Sequence, residues 1–424
     1  MNVLVIGSGG REHALCWKLS LSNIVNKIYA LPGNAGISSI AECIDGNVMD
    51  IKSIVDFAEK NSIDLTVVGP ESPLIAGLAD ALIEKGLKVF GPNKEAAQME
   101  GSKVFAKNLM LENNIPTAFC KSFSNSTDAK KYAEEVSSNS NDPIVVKADG
   151  EAAGKGVFIC NTLEEAKSAI DQIMEEKIFG DSGNQLIIEE YLDGQEATFM
   201  CFVDGENFVP MIASQDYKRA YDNDEGPNTG GMGCYAPVPV FTDNIRKEVI
   251  ETIIKPTLKA LKNRGIYYRG VLYTGLALTD KGPKVIEFNC RFGDPETQVV
   301  LPLLESDFAK IALAVADGKL DEIEVNWYDK KALCVVMSSG GYPGKYEKGK
   351  VISGLEKAEE SGCLIFHAGT CMKDNDILTN GGRVLGVTAC GNDYKKCIDK
   401  VYTAVNYIKF DSLYYRRDIG AKLI

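Results

Sequence analysis

Strand and helix signals alternate through the first hundred residues, and each strand runs into glycine. Residues 2–6 lead to Gly7, 27–30 to Gly33, 65–68 to Gly69 and 87–90 to Gly91. Between them, 12–19 and 74–85 read as helices and 51–60 as an amphipathic helix. This βαβα order with short connections predicts a doubly wound parallel sheet. Ligands on such sheets collect at the carboxyl ends of the strands. The polar tips Ser8-Gly9-Gly10-Arg11-Glu12 and Pro70-Glu71 lie there.

At 424 residues the chain exceeds one ordinary core, and about three domains are expected. Ser102 reads as the N-cap of a helix over 103–112. After Pro116 a small α+β unit follows, with helices at 127–137 and 163–175 and strands at 144–147, 157–160 and 186–190. Strands dominate from Glu196 to an acidic, glycine-rich loop at 222–233. A long helix is expected over 246–263 and a hairpin from 271–278 and 284–288. The last unit has strands at 332–337, 363–367 and 384–389 and a helix at 393–405. The divisions read as 1–102, 103–328 with a lid at about 121–192, and 329–424. The fold class is α/β and α+β multidomain. It comprises an N-terminal doubly wound parallel sheet, a central domain with a small lid, and a mixed α/β C-terminal domain.

The net charge of −13 argues against a nucleic-acid-binding face, though local Lys and Arg clusters can still take anions. Two histidines and twelve scattered cysteines without a C-x-x-C pair speak against structural zinc. No apolar run reaches membrane-spanning length, and the first is too short for a signal peptide. A cytoplasmic protein with reduced thiols is expected.

The densest chemistry lies in Val285-Ile286-Glu287-Phe288-Asn289-Cys290-Arg291-Phe292-Gly293-Asp294-Pro295-Glu296-Thr297-Gln298. In an extended chain Glu287, Asn289 and Arg291 share a face. A carboxylate, an amide oxygen and a guanidinium together can hold a hard divalent metal against phosphate. The competing reading is a buried Glu287–Arg291 salt bridge. Gly7-Ser8-Gly9-Gly10-Arg11-Glu12-His13 can bring backbone N–H groups to an anion at a helix N-terminus. It lacks a third glycine in place and an acid after strand two. A phosphate or sugar-phosphate is therefore favoured over a dinucleotide, with a tight structural turn as the alternative. Between strands 144–147 and 157–160, Gly150, Gly154, Lys155 and Gly156 form a small-residue loop suited to cover a triphosphate, with Lys147 beneath it. A bare hairpin with an exposed lysine is the alternative. Glu189-Glu190-Tyr191-Leu192 suits an adenine edge and Glu196 a ribose diol, although short acidic stretches are usually solvated surface. Gln215-Asp216-Tyr217-Lys218-Arg219 precedes a glycine-dense loop without strand character, costly to order without a ligand unless it is a flexible linker.

Together these segments resemble the ATP-grasp enzymes and, among them, the phosphoribosylamine–glycine ligase family. The resemblance covers nearly the whole chain, and the octet at 291–298 is its most specific marker. It implies a Rossmann-like N-terminal domain, an ATP-grasp domain with its lid, and a C-terminal domain. It implies that ATP, glycine and 5-phosphoribosylamine give glycinamide ribonucleotide, ADP and phosphate through glycyl phosphate, the second step of de novo purine synthesis. Carried over, Lys103, Lys147, Gly150, Gly154, Lys155 and Gly156 meet the ATP phosphates. Glu189, Tyr191 and Leu192 hold adenine, and Glu196 the ribose. Glu287 and Asn289 bind Mg2+ or Mn2+. Gly9, Gly10, Arg11, Glu12, Glu71, Asp216, Asn228, Arg291 and Glu296 contact the other substrates, and Arg291, Asp294 and Lys155 are catalytic. A carboxylate substrate is already a nucleophile, so no Ser–His or Cys–His device is needed, and His13 and His367 are read as structural. Departures from the family are Glu151 in the lid, Tyr217 where histidine is common, and no acid in Thr274-Gly275-Leu276-Ala277-Leu278. A monomer acting on small molecules, without nucleic-acid or membrane partners, is expected. The rival readings are an ATP-grasp carboxylase, a non-catalytic nucleotide sensor and a dinucleotide oxidoreductase.

Overall fold

A computed structural model describes residues 1–140, 142–150 and 156–424. Glu151, Gly154 and Lys155, singled out above, lie outside the described residues. The N-terminal sheet has five parallel strands in the order Glu42–Cys43, Lys27–Pro32, Asn2–Gly7, Leu65–Val68, Val89–Phe90. Its middle strand is buried on both faces at Val3, Leu4, Val5 and Ile6, so its sequence is a continuous apolar run rather than an alternation. The helix expected over 74–85 is two, Glu71–Ala76 and Leu78–Glu84. They are broken at Gly77, whose φ of +98° is left-handed backbone that glycine adopts without strain.

The central sheet is antiparallel, in the order Phe208–Pro210, Gln195–Asp204, Arg269–Thr279, Gly282–Asn289. The lid is a four-stranded antiparallel sheet, Cys120–Phe123, Leu186–Glu190, Ile144–Ala148, Val157–Cys160, backed by helices Ser126–Asn139 and Leu163–Met174 around a core of its own. The third large sheet draws strands from both sides of residue 328. Gln215–Asp216 and Gly233–Ala236 join Lys331–Ser339, Arg383–Gly391 and Leu364–His367, and Leu413–Tyr414 also pairs Lys331–Ser339. The C-terminal unit is thus stitched to the central one by main-chain hydrogen bonds.

Three local expectations need correction. The stretch at 222–233 is not without strand character, because Glu225–Asn228 pairs with Arg219–Tyr221. The turn between them uses Asn223 and Asp224 at positive φ, a conformation that short polar side chains tolerate. The helix expected over 246–263 begins at Asp243 and widens into a π-turn over Ile250–Ile254 before Lys255–Asn263. Pro256 lacks an N–H and would press on the carbonyl four residues back, which the wider turn relieves. A hairpin of Thr370–Lys373 and Asp376–Thr379 was not foreseen. Its turn residues Asp374 and Asn375 both have positive φ, as a two-residue hairpin of this hand requires.

Phe90, Phe202, Phe292 and Phe308 meet edge-to-face, tilted or, for Phe90 and Phe292, stacked, with centroids 5.6–6.4 Å apart. All four are buried, each contributing about 1.5–3 kcal/mol. They join the N-terminal sheet, the central sheet, the 291–298 turn and helix Phe308–Asp317, and so fix where that turn can lie.

Candidate active site

A cavity of about 840 Å³ opens where the central sheet, the lid, the N-terminal strand tips and the end of the chain converge. Strand Gly282–Asn289 forms one wall. Its pairing slips by one residue at Ile286, since Gly275 faces Glu287 while Leu276 faces Val285. This bulge turns Val285 and Phe288 into the core and leaves Glu287 and Asn289 on the cavity. Neither side chain makes a hydrogen bond or ion pair among the described residues. Burial pushes the Glu287 carboxyl up, but Lys218, Lys147, Lys103 and Arg291 outweigh it and hold the group below its ordinary range. An ionised, unpartnered carboxylate beside a free amide suits a hard cation that keeps waters and phosphate oxygens in its shell. No cluster of three or more His, Cys, Asp or Glu is placed to enclose a metal among the described residues, so such a cation needs the nucleotide to complete its coordination.

The lysines stand opposite. Lys147, at the end of Ile144–Ala148, lies 2.8 Å from Glu189 Oε2 and donates to the Ile286 carbonyl at 3.3 Å. Lys107 lies 3.1 Å from Glu189 Oε1 and donates to Thr117 Oγ1 at 2.6 Å. Glu189 is therefore a buried bridge between two cations. Burial raises its pKa, and Lys147 and Lys107 bring it below the usual range. Lys107 was missed, though it follows Lys103 by four residues on one helix, the spacing that puts two side chains on one face. Lys103 Nζ donates to the Gly150 carbonyl at 2.8 Å. Ser102 Oγ and the Val104 N–H both bond the Asp149 carboxylate. The start of the flap loop is thereby pinned to the helix N-terminus. Gly150 and Gly156, which bracket residues 151–155, line the cavity. Tyr191 and Leu192 line it too, and Glu196 is taken by Lys218 at 2.6 Å.

The N-terminal tip behaves differently from expectation. Gly9, Gly10 and Glu12 do not line the cavity. Glu12 folds back to accept the Gly9 N–H and the Arg11 Nε–H, each at 2.5 Å, as the third helical residue of a capping box. A Cβ on Gly7, Gly9 or Gly69 would come within 2.6, 2.8 and 2.1 Å of the Glu12 side chain, and one on Gly10 within 2.5 Å of Gln298. These glycines make room for protein groups. The Arg11 N–H meets Asp294 Oδ2 at 3.3 Å, so the anions at this helix start are the protein's own carboxylates. Arg11 itself and Glu71 do reach the cavity.

Arg291 turns away from Glu287. It pairs with Glu71 at 3.1 Å and Glu100 at 2.7 Å, so the rival Glu287–Arg291 salt bridge is not formed. Burial raises Glu71, but Arg291 and Arg11 overcome it and bring it down to about 2. Glu100 is instead pushed up, because burial there exceeds the pull of Arg291. Asp294 is held below its ordinary range when Arg383 and Arg11 outweigh burial, and Arg383 also donates to its carbonyl at 2.7 Å. Glu296 accepts from Tyr273 OH at 2.9 Å. Burial, reinforced by Glu296 and Glu196 and opposed by Lys218, raises Asp216 to about 7. Asn228 lies on the same wall. Glu100, Arg383 and Lys422 also line the cavity. Each comes from a distant part of the chain. Glu100 and Arg383 stand in segments that carry the family resemblance, Glu100-Gly101-Ser102-Lys103 and Gly381-Gly382-Arg383, but nothing in those segments assigns them a place in the site, and no local pattern marks Lys422.

Family models for phosphoribosylglycinamide synthetase match end to end. The N domain matches residues 1–100, the ATP-grasp (A) domain 101–297 and the C domain 332–422. The chain is 51% identical over 421 residues to a phosphoribosylamine–glycine ligase from Caldanaerobacter subterraneus subsp. tengcongensis, covering 99% of this chain and 100% of the relative. It is similar to the crystal structure of a phosphoribosylamine–glycine ligase from Thermotoga maritima, with a TM-score of 0.85, 34% identity, and coverage of 99% and 100%. A biotin carboxylase domain of Hydrogenobacter thermophilus 2-oxoglutarate carboxylase shares the fold, with a TM-score of 0.72, 18% identity, and coverage of 98% and 91%.

Proposed function

The chain belongs to the phosphoribosylglycinamide synthetase family, and from that premise we propose that it joins glycine to 5-phosphoribosylamine at the expense of ATP. The products are glycinamide ribonucleotide, ADP and phosphate. The observation that carries the reading is the placement of free Glu287 and Asn289 on one wall, with Lys103, Lys147 and Arg291 around the same cavity.

The glycine carboxylate attacks the γ-phosphorus of ATP, ADP leaves, and glycyl phosphate forms. The amine of phosphoribosylamine then attacks the acyl carbon, phosphate leaves with the electrons of its C–O bond, and the amine's surplus proton is released to solvent. The chain supplies position and charge for both steps. Lys103 and Lys147 neutralise phosphate oxygens, and Glu189 aims Lys147 from behind. Lys155 with Gly150, Gly154 and Gly156 covers the triphosphate. Tyr191 and Leu192 border adenine, and Glu196 with Lys218 meets the ribose. Glu189 then acts on the lysines rather than on the base. Arg291, braced by Glu71 and Glu100, faces the reacting carboxylate. Asp216, Asn228 and Glu296 receive glycine, whose ammonium would draw Asp216 back to its ionised form. Arg11 and Glu71 serve the sugar-phosphate side, and Asp294 holds the turn between Arg11 and Arg383. Glu287 and Asn289 would hold a divalent ion, magnesium or manganese, which would supply charge neutralisation at the phosphates.

We further take the protein to be a cytoplasmic monomer divided at 1–102, 103–328 and 329–424. No helix among the described residues is long and apolar enough to cross a membrane. An ADP-release assay with each substrate omitted in turn tests the reading. ADP formation should require glycine and phosphoribosylamine together. Release driven by bicarbonate and indifferent to glycine would replace it with the carboxylase reading.

A further inference from the structure

The C-terminal segment 415–422 returns to the catalytic cavity, and its anchor is a guanidinium with no solvent exposure. Arg416 is 0% exposed. A charge so placed is costly unless its donors are answered, and here four hydrogen bonds answer it. Nε and Nη2 grip Asp418 at 2.8 and 2.6 Å. Nη1 donates to Asp224 Oδ1 at 2.8 Å and to the Arg219 carbonyl at 3.0 Å. The guanidinium also lies 4.9 Å from the centre of the Tyr217 ring.

Outside the tail, the guanidinium's contacts all fall on one strip, residues 217–224, while the Arg416 carbonyl and the Ile419 N–H bond the Tyr402 hydroxyl. The Tyr217 hydroxyl accepts the Gly420 N–H at 2.9 Å, and Lys422 Nζ stands 4.7 Å over the same ring. The Arg417 N–H donates to Asp222 and the Asn223 N–H to Asp418. Tyr217 is consequently clamped from both sides and is 4% exposed. Its chain neighbours are Asp216 and Lys218. Tyr217 and both neighbours border the cavity, so holding the Tyr217 ring in the tail fixes the backbone from which Asp216 and Lys218 project. Lys218 there pairs with Glu196 at 2.6 Å and exerts the strongest pull of any cation on Glu287.

Building on the ligase reading, we propose that Arg416, acting through Tyr217, is a positioning residue for Lys218, and that segment 415–422 is a working part of the active site. Merely closing the fold would not require its guanidinium bonds to converge beside Lys218.

The test is a double-mutant cycle of Arg416→Met with Lys218→Met, read as glycine- and phosphoribosylamine-dependent ADP formation, with thermal midpoints recorded alongside. Arg416→Met should lower kcat/KM by about 10- to 100-fold, the size that coupled neighbours show. Arg416→Lys should recover only part, because an ammonium cannot fill the fork. In the Lys218→Met background, Arg416→Met should cost less than about threefold. Losses that multiply in full across the two backgrounds, or a folded Arg416→Met with wild-type kcat/KM, overturn the inference. Should Arg416→Met not fold, Tyr217→Phe decides the same way. It keeps the ring and removes only the bond to Gly420, and it should lose several-fold with Lys218 present and nothing without it. A wild-type protein showing no such ADP formation overturns the ligase reading, and this inference falls with it.

Discussion

The two histidines of the chain touch each other across the junction of the N- and C-terminal units, and their burial makes that junction acid-sensitive. The His367 N–H donates to His13 Nδ1 at 2.7 Å, and His367 Nδ1 bonds Thr370 Oγ1 at 3.1 Å. Asn34 ties the His367 carbonyl to that of Ser8. Burial, reinforced by His367, lowers His13 from 6.5 to about 3. Burial alone lowers His367 from 6.5 to about 4. The folded protein thus refuses protons that the unfolded chain accepts once pH falls below 6.5. The stability held in this pair is complete above that value and drains away as pH falls towards 4 and then 3. At about pH 5 each ring has given up about 2 kcal/mol, and the two together about 4, against a total stability of about 5–15 kcal/mol. Asp216 works in the opposite sense. Its raised carboxyl removes stability as pH rises from 3.8 to about 7. Glu71, lowered from 4.5 to about 2, begins to matter only below 4.5. The measurement is therefore a difference. Urea unfolding of the wild type and of a His13→Gln/His367→Gln variant is followed at about pH 7 and about pH 5, and the wild type should lose about 4 kcal/mol more. Equal losses in the two proteins would refute the account, because Asp216 and Glu71 are common to both.

Other perturbations bear on the cavity. Glu287→Ala should cut turnover by about 10²–10³-fold while leaving the circular dichroism spectrum and thermal midpoint intact; a near-normal rate with magnesium removes the residue from its role. Lys147→Met strands part of the Glu189 charge in a buried site and should destabilise by about 3–5 kcal/mol. Adding Glu189→Gln should restore some of that, and a double variant no more stable than the single would show that the bridge carries no such strain. Deleting residues 151–155 should raise the KM for ATP by about tenfold or more, and unchanged nucleotide affinity would count against a flap.

Much of the fold is legible because its periods are clean. Ile51–Lys60, Leu65–Val68, Lys103–Glu112, Val157–Cys160 and Leu186–Glu190 occur where the pattern puts them. The helices are marked by spacing and by caps at Asp50 and Ser102, and the strands Leu65–Val68 and Leu186–Glu190 by continuous apolar runs. What escaped depends on backbone detail that composition hides. Gly77 reads as a tolerable helix residue until its left-handed φ splits the helix. The polar run Asp222-Asn223-Asp224 reads as loop, although Asn and Asp at positive φ are what allow a tight reversal between paired strands.

The site divides along a different line. Strand parity brought Glu287 and Asn289 to one face, and the bulge at Ile286 lies before both, so their relation survives it. The same parity failed for Arg291, because the strand ends at Asn289 and the guanidinium is then free to follow charge. Its partners, Glu71 and Glu100, come from the N-terminal strand tip and from helix Gln98–Gly101. A local rule can order side chains along one element, whereas the partner of a buried charge is chosen by whichever opposite charge the fold delivers to it. The glycines of Gly7-Ser8-Gly9-Gly10 show the same limit from the other side. Their smallness was read correctly as a requirement for close approach, but the approaching group is Glu12 or Gln298 of this chain, which only the three-dimensional neighbourhood can distinguish from a bound phosphate.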